Sequence, residues 1–294
     1  MTKTAMKRAS INGVEISYFD EGSGLALVML HGWPEHSHSW RKISASLEGS
    51  CRRIAIDFRG SGDSQITESG FDKKTLAADV KGLLNHLGIE RAIVVAHDWG
   101  APVAYRLAID EPSRVSALVI LNGRMPLLAS HIDLMYTPQQ VKERWYFFFN
   151  LVPGLPEIVI QRSMREYFSY LIDHWRGDNI SHSREDIDEL VRVNSRPDGL
   201  RAGLGFYRTA VGKDVTDWAA LKDSVIVVPS LVLWGAKDPV LPPIYIKGLE
   251  SVTPDLEVHI NDSAGHFIQQ EAAEWCADHI KRFISRLTSA RYSP

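Results

Sequence analysis

The sequence predicts an α/β protein in which a mostly parallel sheet, covered on both faces by helices, is interrupted by a helical insertion. Short, wholly apolar segments alternate with helical ones up to residue 121 and return after residue 229, which is typical of a buried parallel sheet. Between them, residues 125–212 contain helical, aromatic and charged segments but no comparable apolar strand.

The elements are predicted from hydrophobic periodicity and turn residues. The strand-like segments 14–19 and 25–30 are expected to open the fold as a meander. Further strands are predicted at residues 53–57, 92–96, 115–121, 230–234 and 256–260, and helices at 39–47, 75–87, 102–109 and 271–290. The corresponding units are an N-terminal part of the core at 1–123, a helical cap at 124–213 and a C-terminal part of the core at 214–294.

Composition limits the classes of function. The 33 basic and 36 acidic residues are dispersed and leave a net charge of -3, which argues against nucleic acid or an anionic membrane as a partner. No stretch approaches the ~18 apolar residues of a membrane span, and no apolar segment follows the basic N-terminal residues. Cys51 and Cys276 have neither a CxxC nor a Cys/His spacing, which argues against disulfides and structural zinc. We therefore expect a cytoplasmic protein with a small-molecule partner; a homodimer is compatible with the sequence, although no residue indicates one.

The turn after the predicted strand 92–96 presents a candidate nucleophile. Asp98 stands between that strand and a helix, and the small residues Ala96 and Gly100 permit a sharp turn there. A Ser at this position would be the nucleophile of an esterase, whereas an Asp can form a covalent ester. The alternative is that Asp98 only caps the following helix. Its neighbour His97 would point to the opposite side of the strand and is expected to be structural.

Around this turn the chain resembles the α/β-hydrolase superfamily, and specifically its Asp-nucleophile branch of epoxide hydrolases and haloalkane dehalogenases. The residues HGWP at 31–34 are similar to the HGxP oxyanion loop of the branch, and DFRGSGDS at 57–64 is similar to its next βα loop. Members usually have Gly where Ala96 stands. The resemblance covers essentially the whole chain and implies an α/β-hydrolase fold: a mostly parallel eight-stranded sheet flanked by helices, with an inserted helical cap.

Hydrolysis of a carboxylate ester requires a base to activate water and an acid to orient that base. His266 lies beside Gly265 in a short loop after the last strand, as the catalytic His of the family does, and Asp238 is similar to the family's triad acid. Taken alone, either could be an ordinary loop residue, but the order Asp98, Asp238, His266 matches nucleophile, acid and base. Some dehalogenases take the acid from the loop after the sixth strand, which here reads NGRM at 122–125 and has no carboxylate.

The resemblance assigns the oxyanion hole to the backbone N–H groups of Trp33 and Trp99. Their side chains would bind substrate together with Pro34, Phe206 and Phe267, although the alternative is that both indole rings only fill the core. The bond between Trp33 and Pro34 is expected to be cis. No metal or cofactor is expected, because no metal-ligand spacing or phosphate-binding motif occurs.

The predicted cap carries residues that distinguish the two activities of the branch. An epoxide oxygen becomes an alkoxide and needs a neutral donor such as Tyr, whose ordinary pKa is about 10. Epoxide hydrolases of the branch have two cap tyrosines, to which Tyr146, ahead of Pro153 and Gly154, and Tyr207, ahead of Arg208, are similar. Ordinary packing in the cap is the alternative role. The resemblance thus implies that a small uncharged epoxide and water are converted to a vicinal diol.

Two other functions remain open at this point. One is a haloalkane dehalogenase with the same nucleophile: Trp99 resembles a halide donor and Trp145 or Trp175 could partner it, although many dehalogenases have Asn where Trp33 stands. The other is a non-catalytic ligand-binding protein of the same fold. The complete set of nucleophile, acid and base argues against it.

Overall fold

Eight strands form one sheet in the structure, a computed structural model that describes residues 6–128 and 138–290. In chain order they are β1 (Lys7–Ile11), β2 (Val14–Glu21), β3 (Ala26–Leu30), β4 (Arg52–Ile56), β5 (Ala92–His97), β6 (Val115–Leu121), β7 (Ser230–Gly235) and β8 (Leu256–Asn261). Across the sheet their order is β1-β2-β4-β3-β5-β6-β7-β8. The β1–β2 and β2–β4 pairs are antiparallel, and all other pairs are parallel.

The meander expected from the segments 14–19 and 25–30 is wrong, and β1, which forms a hairpin with β2, was not predicted. β2 pairs with β4, and β3 lies between β4 and β5. All five residues of β3 are buried, whereas the last three of β2 are partly exposed. A strand that is apolar at every position needs cover on both faces, which the interior of a parallel sheet provides.

Helices flank this sheet. Those of the first part are α1 (Arg41–Ser46), α2 (Lys73–His86) and α3 (Gly100–Asp110). Those between β6 and β7 are α4 (Pro138–Leu151), α5 (Leu155–Arg162), α6 (Met164–Trp175), α7 (Arg184–Asn194), α8 (Gly199–Ala210) and α9 (Lys213–Ala219). The last are α10 (Leu249–Val252), α11 (Ile268–Glu271) and α12 (Ala273–Ala290), so the helix predicted at 271–290 begins two residues late and follows a separate short helix.

The described residues between β6 and β7 are helical or irregular and contain no strand, as predicted for an insertion. Residues 129–137, which fall in the predicted cap, lie outside the described residues. Within 6–128 and 138–290 no helix combines the length and the apolar character needed to cross a membrane.

The sheet separates two apolar layers because successive side chains of a strand point to opposite faces. In β3, Leu27 and Met29 join one layer and Val28 and Leu30 join the other. The second layer continues into the helical insertion through the buried residues Tyr146, Phe168, Phe206 and Tyr207. The buried side chains of the insertion are therefore continuous with one of the two layers.

Candidate active site

Asp98 occupies the turn between β5 and α3 with a φ of 47°, in the left-handed region that few residues other than glycine adopt. A Cβ atom at Gly100 would lie 2.3 Å from the Leu30 carbonyl oxygen, and one at Gly32 would lie 2.4 Å from Asp98 Oδ2. Close packing on both sides therefore holds the strained turn. The N-cap of α3 is Trp99 rather than Asp98, so the alternative role of Asp98 as a helix cap is wrong.

The two tryptophans predicted for the oxyanion hole lie beside the Asp98 carboxylate. The Trp33 N–H donates to Asp98 Oδ2 at 3.1 Å, and the Trp99 N–H also helps to lower the pKa of this carboxylate. The Trp33–Pro34 peptide bond is cis, as expected. Burial raises the pKa of Asp98, although His266, His97 and the two N–H groups oppose the shift.

His266 and Asp238 form a buried pair next to Asp98. His266 Nδ1 lies 2.8 Å from Asp238 Oδ2, and His266 Nε2 lies 3.9 Å from Asp98 Oδ1. The second distance is too long for a direct hydrogen bond. Burial lowers the pKa of His266, but the carboxylates of Asp238 and Asp98 more than offset this effect and raise it to about 9. The structure thus brings together the three residues that the motifs singled out.

Asn122, at the end of β6, is a buried partner of Asp238 that the sequence did not reveal. Its Nδ2 donates to Asp238 Oδ2 at 2.6 Å, and its Oδ1 accepts the Gly235 N–H at 2.9 Å. Asp238 Oδ1 accepts the N–H groups of Val240 at 2.7 Å and Leu241 at 2.9 Å. Asn122 stands in the loop where some dehalogenases carry the acid. This position could have indicated from the sequence that Asn122 lies close to the acid and base.

A second buried cluster lies behind His266. The His97 ring belongs to it: its Nε2 lies 2.9 Å from the His266 carbonyl oxygen. Its Nδ1 lies 3.3 Å from Glu35 Oε2, and Glu35 Oε1 lies 3.3 Å from His182 Nε2. Gln269 Nε2 donates to Glu35 Oε2 at 2.7 Å. Despite burial, hydrogen bonds from His182 and His97 hold the pKa of Glu35 well below its usual range.

The two predicted tyrosines come from different helices and meet near Asp98. Tyr146 of α4 and Tyr207 of α8 are buried, and their ring centroids lie 6.2 Å apart. The Tyr207 ring is also 5.4 Å from that of Trp33 and 5.0 Å from that of Trp99. Burial raises the pKa of both phenols well above the usual value, and the charge of Asp98 adds to the shift in both. Both therefore stay neutral hydrogen-bond donors.

The other predicted substrate contacts are buried in different surroundings. The Phe267 ring lies 5.1 Å from that of His266. The Phe206 ring packs against Phe58 at 6.0 Å, and the Pro34 carbonyl accepts a hydrogen bond from Asn194 at 3.3 Å. A role for Pro34, Phe206 and Phe267 in binding substrate stays a prediction.

Trp175, considered above only as a halide donor, bridges the two halves of the site. Its ring lies 4.6 Å from that of Tyr146 and 5.5 Å from that of His266. The Trp175 carbonyl oxygen accepts the His266 N–H at 2.8 Å. It therefore contacts both Tyr146 and the loop that carries His266.

A mostly parallel sheet with a candidate nucleophile at a strained strand-to-helix turn is typical of α/β hydrolases. The family model described as alpha/beta hydrolase fold matches residues 26–273, and the chain belongs to this family. It is 32% identical over 291 residues to the soluble epoxide hydrolase of Corynebacterium sp. strain C12, with 97% of this chain and 99% of the relative covered.

Solved structures agree with this assignment. The structure of epoxide hydrolase CorEH without ligand has a TM-score of 0.86 and 30% identity, and the match covers 96% of this chain and 99% of that one. Epoxide hydrolase VrEH1 from Vigna radiata has a TM-score of 0.83 and 27% identity, with 97% and 99% covered.

Proposed function

We propose that the protein is an epoxide hydrolase that converts a small uncharged epoxide and water into a vicinal diol. The observation that carries the proposal is the setting of Asp98: its carboxylate lies beside the His266–Asp238 pair, and the buried rings of Tyr146 and Tyr207 meet 6.2 Å apart next to Trp99. The full-length relatives named epoxide hydrolases support it.

In the first step, a carboxylate oxygen of Asp98 attacks an epoxide carbon. The new carbon–oxygen bond makes an ester, the epoxide carbon–oxygen bond breaks, and its electron pair stays on the departing oxygen. Tyr146 and Tyr207 hydrogen-bond this oxygen, and one of them gives it a proton. Because both phenols are neutral over the usual pH range, the donors are ready before the substrate arrives.

In the second step, water hydrolyses the ester. The 3.9 Å between His266 Nε2 and Asp98 Oδ1 gives a water molecule room to approach the ester carbonyl. His266 takes a proton from this water while Asp238 stabilises the imidazolium, and the N–H groups of Trp33 and Trp99 hold the oxyanion. Collapse of the tetrahedral intermediate expels the diol oxygen, which takes the proton from His266. The second proton of the water returns to the tyrosine that gave up its own, and the Asp98 carboxylate is restored.

Esterification itself prepares the base. In the free enzyme the Asp98 charge helps to raise the pKa of His266 to about 9, so the ring is protonated at neutral pH. An ester at Asp98 carries no charge, and this contribution to the pKa disappears. The alkylated enzyme therefore holds more of its His266 in the neutral form that water activation requires.

The remaining features belong to the same proposal. Residues 124–213 would form the cap that supplies both tyrosines and closes the site over Asp98. Pro34, Phe206 and Phe267 would contribute to substrate binding. Cys51 and Cys276 are free and buried, which supports a reducing compartment such as the cytoplasm.

The proposal is tested by trapping the ester. His266→Gln should accept the epoxide at Asp98 and hydrolyse it slowly, so that intact mass spectrometry with styrene oxide detects the adduct. Asp98→Asn is the matched control and should form none. A His266→Gln enzyme without an adduct from a panel of epoxides would contradict the mechanism.

Three further measurements separate the alternatives. In a single turnover in heavy-oxygen water the label should enter Asp98; label in the diol alone would indicate direct hydration. Halide release from a panel of haloalkanes, compared with diol formation from styrene oxide, distinguishes a haloalkane dehalogenase. Ligand-induced thermal stabilisation without any turnover would indicate a binding protein.

A further inference from the structure

Lys73, the first residue of α2, carries a buried ammonium group between the sheet domain and the helical insertion. Its exposed fraction is 2%. Lys73 Nζ lies 2.8 Å from Asp214 Oδ2, and it donates to the Phe206 carbonyl oxygen at 2.7 Å and to Thr209 Oγ1 at 3.2 Å. One cation therefore joins α2 to both α8 and α9.

The start of α2 and the start of α9 are joined by two crossed ion pairs. Lys73 pairs with Asp214, and Lys213 Nζ lies 3.0 Å from Asp72 Oδ2. In addition, Asp214 Oδ1 accepts the Lys73 backbone N–H at 3.0 Å. These contacts fix both the backbone of Lys73 and its ammonium group.

The same ammonium contacts the residue that follows the proposed nucleophile. Lys73 Nζ lies 4.5 Å from the ring centroid of Trp99, which is within the range of a cation–π interaction. Tyr207 packs against the same tryptophan, with its ring centroid 5.0 Å from that of Trp99. The residue before it, Phe206, accepts the hydrogen bond from Lys73 through its carbonyl oxygen. Lys73 thus contacts both Trp99 and the helix that carries Tyr207.

Stability alone explains this arrangement poorly. Desolvation of an ammonium is costly, and replacement of a buried ion pair by apolar residues of similar volume is often neutral or stabilising. Burial lowers the pKa of Lys73, although Asp214 and Asp72 oppose the shift. What an apolar side chain cannot supply is directional contact with a carboxylate, a carbonyl oxygen and an indole face at once.

We propose that Lys73 is a positioning residue for epoxide opening: it fixes Tyr207 relative to Trp99 and so to the Asp98 carboxylate. The inference rests on the proposed function. Tyr207 acts on the epoxide oxygen in the first step, so ester formation is the step that depends on this placement. A misplacement of about 1 Å in such a site can slow a reaction ~10²-fold.

Lys73→Met, which keeps the length of the side chain without its charge, tests the proposal in the full-length protein. We expect ester formation in a single turnover to slow by ~10-fold to ~10²-fold, with a smaller effect on ester hydrolysis. The enantiomer ratio, meaning the ratio of the rates at which the two enantiomers of a racemic epoxide form the ester, should also change. Arg59→Met is the matched control, since Arg59 Nε lies 2.7 Å from the buried Asp79 in another ion pair that involves α2. It should lower stability without slowing ester formation.

Two further variants keep the test decisive if Lys73→Met does not fold. Asp214→Asn retains the lysine but weakens its anchor, and it should change ester formation in the same direction by a smaller factor. Lys73→Arg retains the charge and should recover part of the rate. Unchanged single-turnover rates and enantiomer ratios in folded variants would overturn the proposal and leave Lys73 a purely structural role.

A substrate-free measurement separates this proposal from the proposed function. The indole N–H signal of Trp99, assigned in NMR spectra with Trp99→Phe, should shift in Lys73→Met and stay in place in Arg59→Met. If that shift occurs while the wild-type protein opens no epoxide, the proposed function is wrong and the contact between Lys73 and Trp99 is confirmed. If epoxides are opened and the signal does not shift, the positioning role is wrong.

Discussion

Asn122 Nδ2 donates to Asp238 Oδ2 at 2.6 Å, and the same carboxylate oxygen lies 2.8 Å from His266 Nδ1. The amide and the imidazole thus share one oxygen, while backbone N–H groups occupy the other. This arrangement leaves Asp238 little freedom to rotate. It should therefore also set the orientation of the His266 ring.

Asn122→Ala removes the amide that Asp238 and Gly235 both contact. We expect a loss of about 1–3 kcal/mol in the free energy of unfolding, since two buried groups lose a partner. Ester hydrolysis should slow, whereas ester formation should be retained because it does not use His266. Urea unfolding and single-turnover kinetics measure these effects. Equal slowing of both steps would contradict a role that acts through Asp238.

The pKa of His266 should depend on the charge of Asp98. In the wild-type enzyme it is raised to about 9, with Asp98 among the causes. Asp98→Asn removes that negative charge at nearly constant shape, so the pKa should fall below the wild-type value. An NMR titration of the His266 ring measures it, with Asp63→Asn as a control for a surface charge. An unchanged pKa would contradict the proposal that esterification of Asp98 increases the neutral fraction of His266.

The same pKa predicts how stability depends on pH. The ordinary value of 6.5 applies to the unfolded chain and about 9 to the folded protein. Below pH 6.5 both states hold the proton and the stabilising contribution is complete; it declines as the pH rises and is lost above about 9. The wild-type protein should therefore lose stability relative to His266→Gln over this interval. Urea unfolding at several pH values measures the difference, and parallel curves would refute the prediction.

The two buried tyrosines should act on ester formation and not on its hydrolysis. Tyr146→Phe and Tyr207→Phe should each slow ester formation by up to ~10²-fold, because one donor to the epoxide oxygen is lost. The double variant should lose more. Tyr170→Phe is the control, since Tyr170 is an exposed tyrosine of α6. Rapid-quench mass spectrometry follows the ester, and normal ester formation in both single variants would exclude the assigned role.

Much of this protein could be predicted from local patterns. Uninterrupted apolar segments indicated the parallel strands, because only burial on both faces accommodates them. Small residues around Asp98 indicated its sharp turn, and the sequence order of Asp98, Asp238 and His266 indicated the set that the structure brings together. The first two of these signals lie within a few residues of the feature that they predict, whereas the third is the order of three short motifs along the chain.

Other features depend on which distant segments meet. β3 lies between β4 and β5 rather than beside β2. This order depends on which strands pair across the sheet. Asn122 meets Asp238 because neighbouring parallel strands end at the same edge of the sheet. Lys73 meets Trp99 because α2 packs against α3, and it reaches the Phe206 carbonyl oxygen because the helical insertion packs over α2. The sequence by itself determined the type of fold and the candidate nucleophile, acid and base. Tertiary structure decided the partners of the buried polar groups, because those partners are far apart in the chain and only packing brings them together.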